Sequence, residues 1–296
     1  MAVADLFDAA DDMTGALMSA PPVDAAPAPH LAPDATMPAE VTLLGPVSVR
    51  ASGEIDPAML PLATEIVVYL ATHPAGVHPN VLARAIWPQG VADETVDAVL
   101  AEVADWLGTD GIGRPHLAAD ASGRLRLGSG VKVDWHVFLT LVAQAGQAAG
   151  PGGKGSHGGH APEEAKLAQA LSLVDGHFLA GCGPGGYSWI VTDGLDYEVS
   201  ARVADAAHRL CELRLNAGDS RGAMDAVRTG LRIAPDDELL WRDLLTAAHA
   251  TGQENMPYAA AGEIWTRASM DGPPELTTET EALLDELLPT WRWTLA

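Results

Sequence analysis

Two helical stretches that end on glycine constrain this chain more than any other feature. "LCELRLNA" runs into Gly218 and "LLTAAHAT" runs into Gly252, so equivalent turns recur 34 residues apart. The register extends beyond the turns: Leu210 matches Leu244, Ala226 matches Ala260, and Leu231 matches Trp265, while Pro235 closes the helix pair of the first unit. A helix pair this short buries its apolar face only by stacking on a neighbour. The period is that of tetratricopeptide units. It predicts a helical repeat, with a helix at about 163–175 and the last one, "TTETEALLDELLP", capping the stack. A generic helical bundle is the other arrangement this periodicity permits.

The chain upstream follows a different pattern. "VTLLG" and "VSVRA", joined by Gly45-Pro46, predict a β-hairpin. "LATEIVVYLATHP" predicts a helix ended by Pro74, and "PNVLARAIWP" a second, short helix closed by Pro88. "VADETVDAVLAEVADWLG" predicts a third, capped by Asp93 and stopped by Gly108. In "GRLRLGSGVKVDW", Leu125 and Leu127 alternate inward with Arg124 and Arg126 outward, and the chain then turns at Gly128–Gly130 into "VKVD". Hairpin, three helices, hairpin is the order of a winged helix-turn-helix. The expected fold is therefore mainly α: a winged helix-turn-helix (α+β) followed by a tetratricopeptide-like α-helical repeat domain.

At 296 residues and 48% apolar, the chain holds two domains plus tails. Residues 1–40 are rich in Ala, Pro and Asp and predict a disordered acidic tail, within which "VADLFDAADDM" gathers Val3, Leu6, Phe7 and Ala10 on one helical face. Residues 41–145 form the winged-helix domain, 146–162 a Gly-rich linker, and 163–290 the helical domain. The longest apolar run, "IVVYLA", falls far short of the roughly 18 residues that span a bilayer, and no signal-like segment follows Met1. Cys182 and Cys211 are too few for a disulfide framework and read as buried structural thiols in a reducing cytoplasm.

Catalytic signals are missing. "GGKGS" fails as a phosphate-binding loop, because Ala148 and Gly155 stand where Gly and Ser or Thr are needed. His157 and His160 sit on a flexible loop that preforms no metal site, and His208 follows an apolar stripe as a packed histidine does. His249 lies on a helix of the same domain. No HExxH and no Ser, His and Asp arrangement appears. The expectation is a protein without enzymatic activity, cofactor or metal. In the irregular insert "GHFLAGCGPGGYSWI", Tyr187 and Trp189 either line a small cleft or plug the insert onto the helices.

From about residue 41 to 288 the chain resembles the actinobacterial antibiotic-regulatory (SARP-type) activators that carry a bacterial transcriptional activator domain (BTAD). The residues carrying the resemblance are "LLGPVSV", "TEIVVYLATHPAGV", "LARAIWP", "WLGTD", "DWHVFLTLV", "LRLNAGDSRGAMDAVRTGLRIAPDDELLWRDLLTAAHATG" and "LTTETEALLDELLP". It looks most like the versions at the cytoplasmic ends of long, LysM-bearing membrane proteins, in which case Met1 begins either a stand-alone relative or an excised fragment. The resemblance implies transcription control through DNA, with arginines in the third helix. This chain departs from that pattern. Its third helix has "AEVADWLG" and neither Lys nor Arg. Val96, Val99, Leu100, Val103 and Leu107 make its buried stripe, leaving Glu94, Asp97, Glu102 and Asp105 outward.

Charge argues the same way. With 17 basic against 40 acidic residues the net charge is −23, a field that repels polyanions. The basic residues of the first domain, Arg50, Arg84, Arg114, Arg124, Arg126 and Lys132, are scattered along it. The sequence therefore predicts a regulatory protein whose winged helix does not read DNA and which acts through protein contacts. Glu94, Asp97, Glu102 and Asp105 are the candidate contact residues, facing a basic partner or a second copy of the chain. The alternative is a DNA-binding activator docking through its wing as a dimer, with Arg124, Arg126 and Lys132 as the contacts.

Overall fold

A computed structural model describes residues 38–148, 160–182, 186–270, 272 and 275–292. The tail segment "VADLFDAADDM", the "GGKGS" stretch and His157 lie outside the described residues. Strands β1 (Glu40–Thr42) and β2 (Ser48–Arg50) pair antiparallel with Val41 opposite Val49, forming the expected first hairpin. Helices α1 (Leu60–Thr72), α2 (Pro79–Ile86) and α3 (Asp93–Leu107) follow. Seven α1 residues, among them Ile66, Val67 and Leu70, are buried in the centre of this half.

The second hairpin differs from the sequence expectation. Strand β4 (Leu125–Leu127) pairs antiparallel with β3 (Leu117–Ala119), whereas β5 (Lys132–Val133) lies parallel to β1, giving the order β2-β1-β5. The turn that decides this is built by Asp120. Its Oδ1 accepts from the amides of Ser122 and Arg124 at 2.8 and 3.1 Å and from the Ser122 hydroxyl at 2.6 Å, while Gly123 takes a positive φ of 76°. That Asx turn closes the β3–β4 hairpin five residues before Gly128, so the glycines after β4 lead the chain away rather than back.

Helix α4 (Asp134–Ala148) starts at the end of β5. The Asp134 carboxylate accepts from the Leu43 amide, 2.9 Å from each oxygen, and from the Leu44 amide at 2.9 Å. Burial raises the Asp134 carboxyl above its usual range, with these amides and that of Trp135 pulling it down. The carbonyls of the same strand extension are also engaged: Leu179 N donates to Leu43 O (2.9 Å), Asp175 N to Leu44 O (2.7 Å) and Ala180 N to Gly45 O (2.9 Å). The irregular insert is thus hydrogen-bonded along the end of β1.

The remaining helices are α5 (Ala161–Leu171), α6 (Trp189–Asp193), α7 (Leu195–Asn216), α8 (Ser220–Ile233), α9 (Glu238–Ala250), α10 (Asn255–Ala268) and α11 (Thr278–Leu287). Helix pairs α7–α8 and α9–α10 are the two repeat units. Their equivalent turns sit at Gly218 (φ 81°) and Gly252 (φ 70°), a backbone region that glycine enters without steric cost. Leu210 and Leu244 are buried, as are Ala226 and Ala260, while Leu231 and Trp265 are half-buried. Asp219, Asp237 and Thr277 cap α8, α9 and α11 through their side-chain oxygens. Helix α5 packs on α7 and α8 and α11 packs on α9, so the outer helices close the stack at each end. The fold is mainly α: a winged helix-turn-helix followed by a helical repeat domain.

Two substitutions test this packing. A Cβ at Gly230 would lie 2.6 Å from Ala207 Cβ and 2.9 Å from Leu240 Cδ1. Gly230→Ala gains about 1 kcal/mol in helix propensity but overpacks this contact at a cost of roughly 1–3 kcal/mol, so a net fall in thermal midpoint is expected. Asp134→Ala strips the acceptors from three amides, those of Leu43, Leu44 and Trp135, and is expected to cost roughly 2–4 kcal/mol in urea unfolding. Asp134→Asn, which keeps one oxygen, should cost less.

Candidate functional site

Helix α3 carries the residues that the sequence marks. Its N-cap is Ala92, in extended conformation and with no side-chain cap bond, so Asp93 does not cap the helix as expected. Instead Asp93 is the first helical residue, and with Glu94 it places negative charge in the first turn, where the helix dipole favours it. The buried stripe is Val96, Val99, Val103, Trp106 and Leu107, with Leu100 half-buried. Trp106 thus belongs to a stripe from which the sequence reading omitted it. Behind the C-terminal turn, Gly53 N donates to Trp106 O at 2.9 Å, and a Cβ at Gly53 would fall 2.4 Å from Asp105 O. Buried His116 donates its Nδ1 hydrogen to Leu107 O at 2.8 Å, tying the helix end to the wing.

Glu94, Asp97, Glu102 and Asp105 are all exposed, and none has an ion pair or side-chain hydrogen bond among the described residues. Thr95, Ala98 and Ala101 share this solvent side, so no cation interrupts it. Glu94 with Asp97, and Glu102 with Asp105, are like-charge i,i+3 pairs, which weaken a helix slightly. Glu102 and Asp105 also lie toward the C-terminal end, where the dipole opposes negative charge.

The cations of this half are mostly neutralised within the chain. Arg126 Nε lies 3.1 Å from Asp120 Oδ2, and its Nη2 donates to Ala75 O at 2.8 Å. Lys132 Nζ and Arg50 Nη1 both pair with Glu40, at 3.5 and 3.4 Å, and Arg114 Nε pairs with Asp110 at 2.7 Å. Arg84 and Arg124 are exposed without a side-chain partner among the described residues. Arg124 and Arg126 lie side by side against Gly76, whereas Lys132 is on the other sheet. The structure therefore brings two of the three candidate DNA contacts together and separates the third. Sequence reasoning missed the acidic partners. The one local signal was "DASGR", an Asx-turn pattern that places an aspartate beside the wing arginines.

Other candidates resolve into packing. Glu65 Oε1 accepts from Tyr187 N at 2.6 Å and from Trp189 Nε1 at 3.3 Å, and Trp189 is buried edge-on against Tyr69 at 4.8 Å. Both aromatics plug the insert onto α1. His208 Nδ1 meets Asp243 Oδ2 at 2.6 Å and joins α7 to α9, His160 pairs with Glu163, and His249 is exposed. Burial pushes the Cys211 thiol up to about 12 and raises that of Cys182. Among the described residues no group of His, Cys, Asp and Glu is arranged to hold a metal ion, and no helix is long and apolar enough to cross a membrane.

The profile of the bacterial transcriptional activator domain matches residues 133–287, from β5 to the end of α11. The solved structure of Mycobacterium tuberculosis EmbR in complex with a low affinity phosphopeptide is similar over 86% of this chain, at 19% identity and a TM-score of 0.59. The match spans 65% of that chain's length, and at this identity it speaks to the fold alone. No curated protein matches the sequence.

Two measurements follow from this geometry. The Asp120 carboxyl is lowered to about 2, first by the Ser122 hydroxyl, then by the Arg124 amide, and also by Arg126. A depressed folded value means that its contribution to the wing is complete above an unfolded value near 4 and is lost as pH falls through the folded one. A carboxyl-carbon NMR titration of Asp120 should show that midpoint. In addition, Glu102→Lys is expected to raise stability by a few tenths to about 1 kcal/mol, by removing a like-charge pair and favouring the dipole. Thermal unfolding at low salt reads the gain.

Proposed function

Because the chain belongs to the bacterial transcriptional activator domain family, we propose that it is a non-enzymatic cytoplasmic regulator that works through protein contacts rather than by reading DNA. In this reading residues 41–145 form a winged helix used as a contact surface, and residues 163–290 form the helical domain that carries it. The single observation behind the proposal is the solvent face of α3, whose Glu94, Asp97, Glu102 and Asp105 stand exposed and unpaired where a winged helix would meet a DNA groove.

Magnitudes favour this choice. Specific DNA binding draws on something like six to ten phosphate contacts. Arg84 and Arg124 are the unpaired cations of the described part of this half, and each carboxylate brought to a phosphate adds repulsion. An acidic helix suits a basic protein surface instead, and a net charge of −23 would steer such a partner toward it. Glu102 and Asp105 do nothing for the helix itself, and their exposure leaves them free for contact. EmbR, which shares the fold over 65% of its own chain, is solved with a phosphopeptide, and a protein partner for this chain is in keeping with that.

Wing docking to DNA as a dimer is the competing reading, favoured by the exposed, unpaired Arg124 beside Arg126. Fluorescence anisotropy of a labelled mixed-sequence duplex with micromolar protein separates the two. The expected result is no binding at low salt, where phosphate contacts are strongest. Binding that falls steeply with salt and disappears in Arg124→Ala/Arg126→Ala would overturn the proposal and establish the wing as the docking surface.

A further inference from the structure

A second surface, remote in sequence from α3, has the chemistry of a docking groove. Between the first turns of α7 and the α8–α9 connection lies a groove of about 430 Å³. Its floor is apolar: Ile233 and Ala234 are buried beneath it, and Pro235 and Ala201 line it. At its rim stands Tyr197, 83% exposed. A tyrosine that leaves most of its ring in water gains little of the burial free energy its size offers. Exposed tyrosines beside apolar pockets are the residue type that anchors protein interfaces.

The charged residues that line the groove, Asp196, Asp236 and Asp237, are all acidic. Asp196 is exposed and has no partner among the described residues. Asp237 uses one oxygen to cap α9 through the Leu240 amide, and Asp236 is paired with Arg267. Among the described residues no cation lines the groove, and the Ser200 hydroxyl is committed to Ile233 O at 3.3 Å. Acidic peptides and nucleic acid are therefore disfavoured occupants.

We propose that this groove docks an arginine-bearing segment of a basic protein partner, with the guanidinium on the Tyr197 ring and beside Asp196. The aliphatic stem of an arginine fits the Ile233–Pro235 floor while its planar head stacks on the ring, a geometry that a lysine ammonium matches less well. This surface does not depend on α3, so it stands or falls separately from the reading above.

The test uses the full chain with fluorescein-labelled hexa-arginine and hexa-lysine, read by anisotropy at low and moderate salt. Hexa-arginine is expected to bind about two- to fivefold more tightly than hexa-lysine. Tyr197→Ala should abolish that preference, Tyr197→Phe should keep it, and Asp196→Asn should weaken both peptides. Tyr197 lies outside the core, so these variants are expected to melt as the parent chain does. A variant with Glu94, Asp97, Glu102 and Asp105 all changed to Gln or Asn should retain the arginine preference, which separates this groove from α3. Equal binding of the two peptides, a preference that survives Tyr197→Ala, or no binding at all would each overturn the proposal.

Discussion

The peptide groups of Leu43 and Leu44 tie three distant parts of this molecule together. Both residues are fully buried, so each N–H and C=O there must find a partner inside the protein. The partners come from far along the chain: Asp134 takes both amides, and Leu179 and Asp175 donate to the two carbonyls. One short strand extension therefore fixes where α4 begins and where the insert before α6 lies. Since α4 packs along α5, the same extension aligns the helical stack with the small sheet.

Charge is handled in opposite ways on the two faces of the first half. Around the sheets, acids and bases meet within the fold, Glu40 serving Arg50 and Lys132 while Asp120 and Asp110 serve Arg126 and Arg114. Exposed pairs of this kind add little stability, yet they remove most of the positive potential that a polyanion would sense. On α3 the acids have no such counter-ions among the described residues. The contrast is local and does not follow from net charge alone, because a chain rich in acids has enough of them to pair every base and still leave one helix bare.

Legibility in the sequence tracked the range of the forces involved. Gly218 and Gly252 were readable because a positive φ selects glycine whatever surrounds it, and the α3 stripe was readable because periodicity is a property of the helix itself. Trp106 was missed where Leu100 was taken, since a wide stripe admits either and only packing decides. The β3–β4 pairing was missed because "LAA" has no β-branched residue and the glycines at 128–130 offered a more obvious turn. The candidate site divided in the same manner. That the α3 acids face outward was legible, but the neutralisation of Arg126 and Lys132 depends on strand register and turn geometry that no linear pattern displays. The groove at Tyr197 likewise arises from two helix ends that sequence alone does not bring together.

The insert has a consequence for how the protein comes apart. Its residues 179 and 180 hydrogen-bond to the β1 extension, and its residues 187 and 189 hold Glu65 of α1, so it grips the first half at two separate points. Peeling either grip exposes buried backbone groups on both sides at once, which couples the melting of the sheet to that of the helical stack. The two grips therefore tie the opening of the insert to that of both β1 and α1. An input that loosens the repeat at these contacts would reach the first half as a change in the stability of the β1 extension and α1.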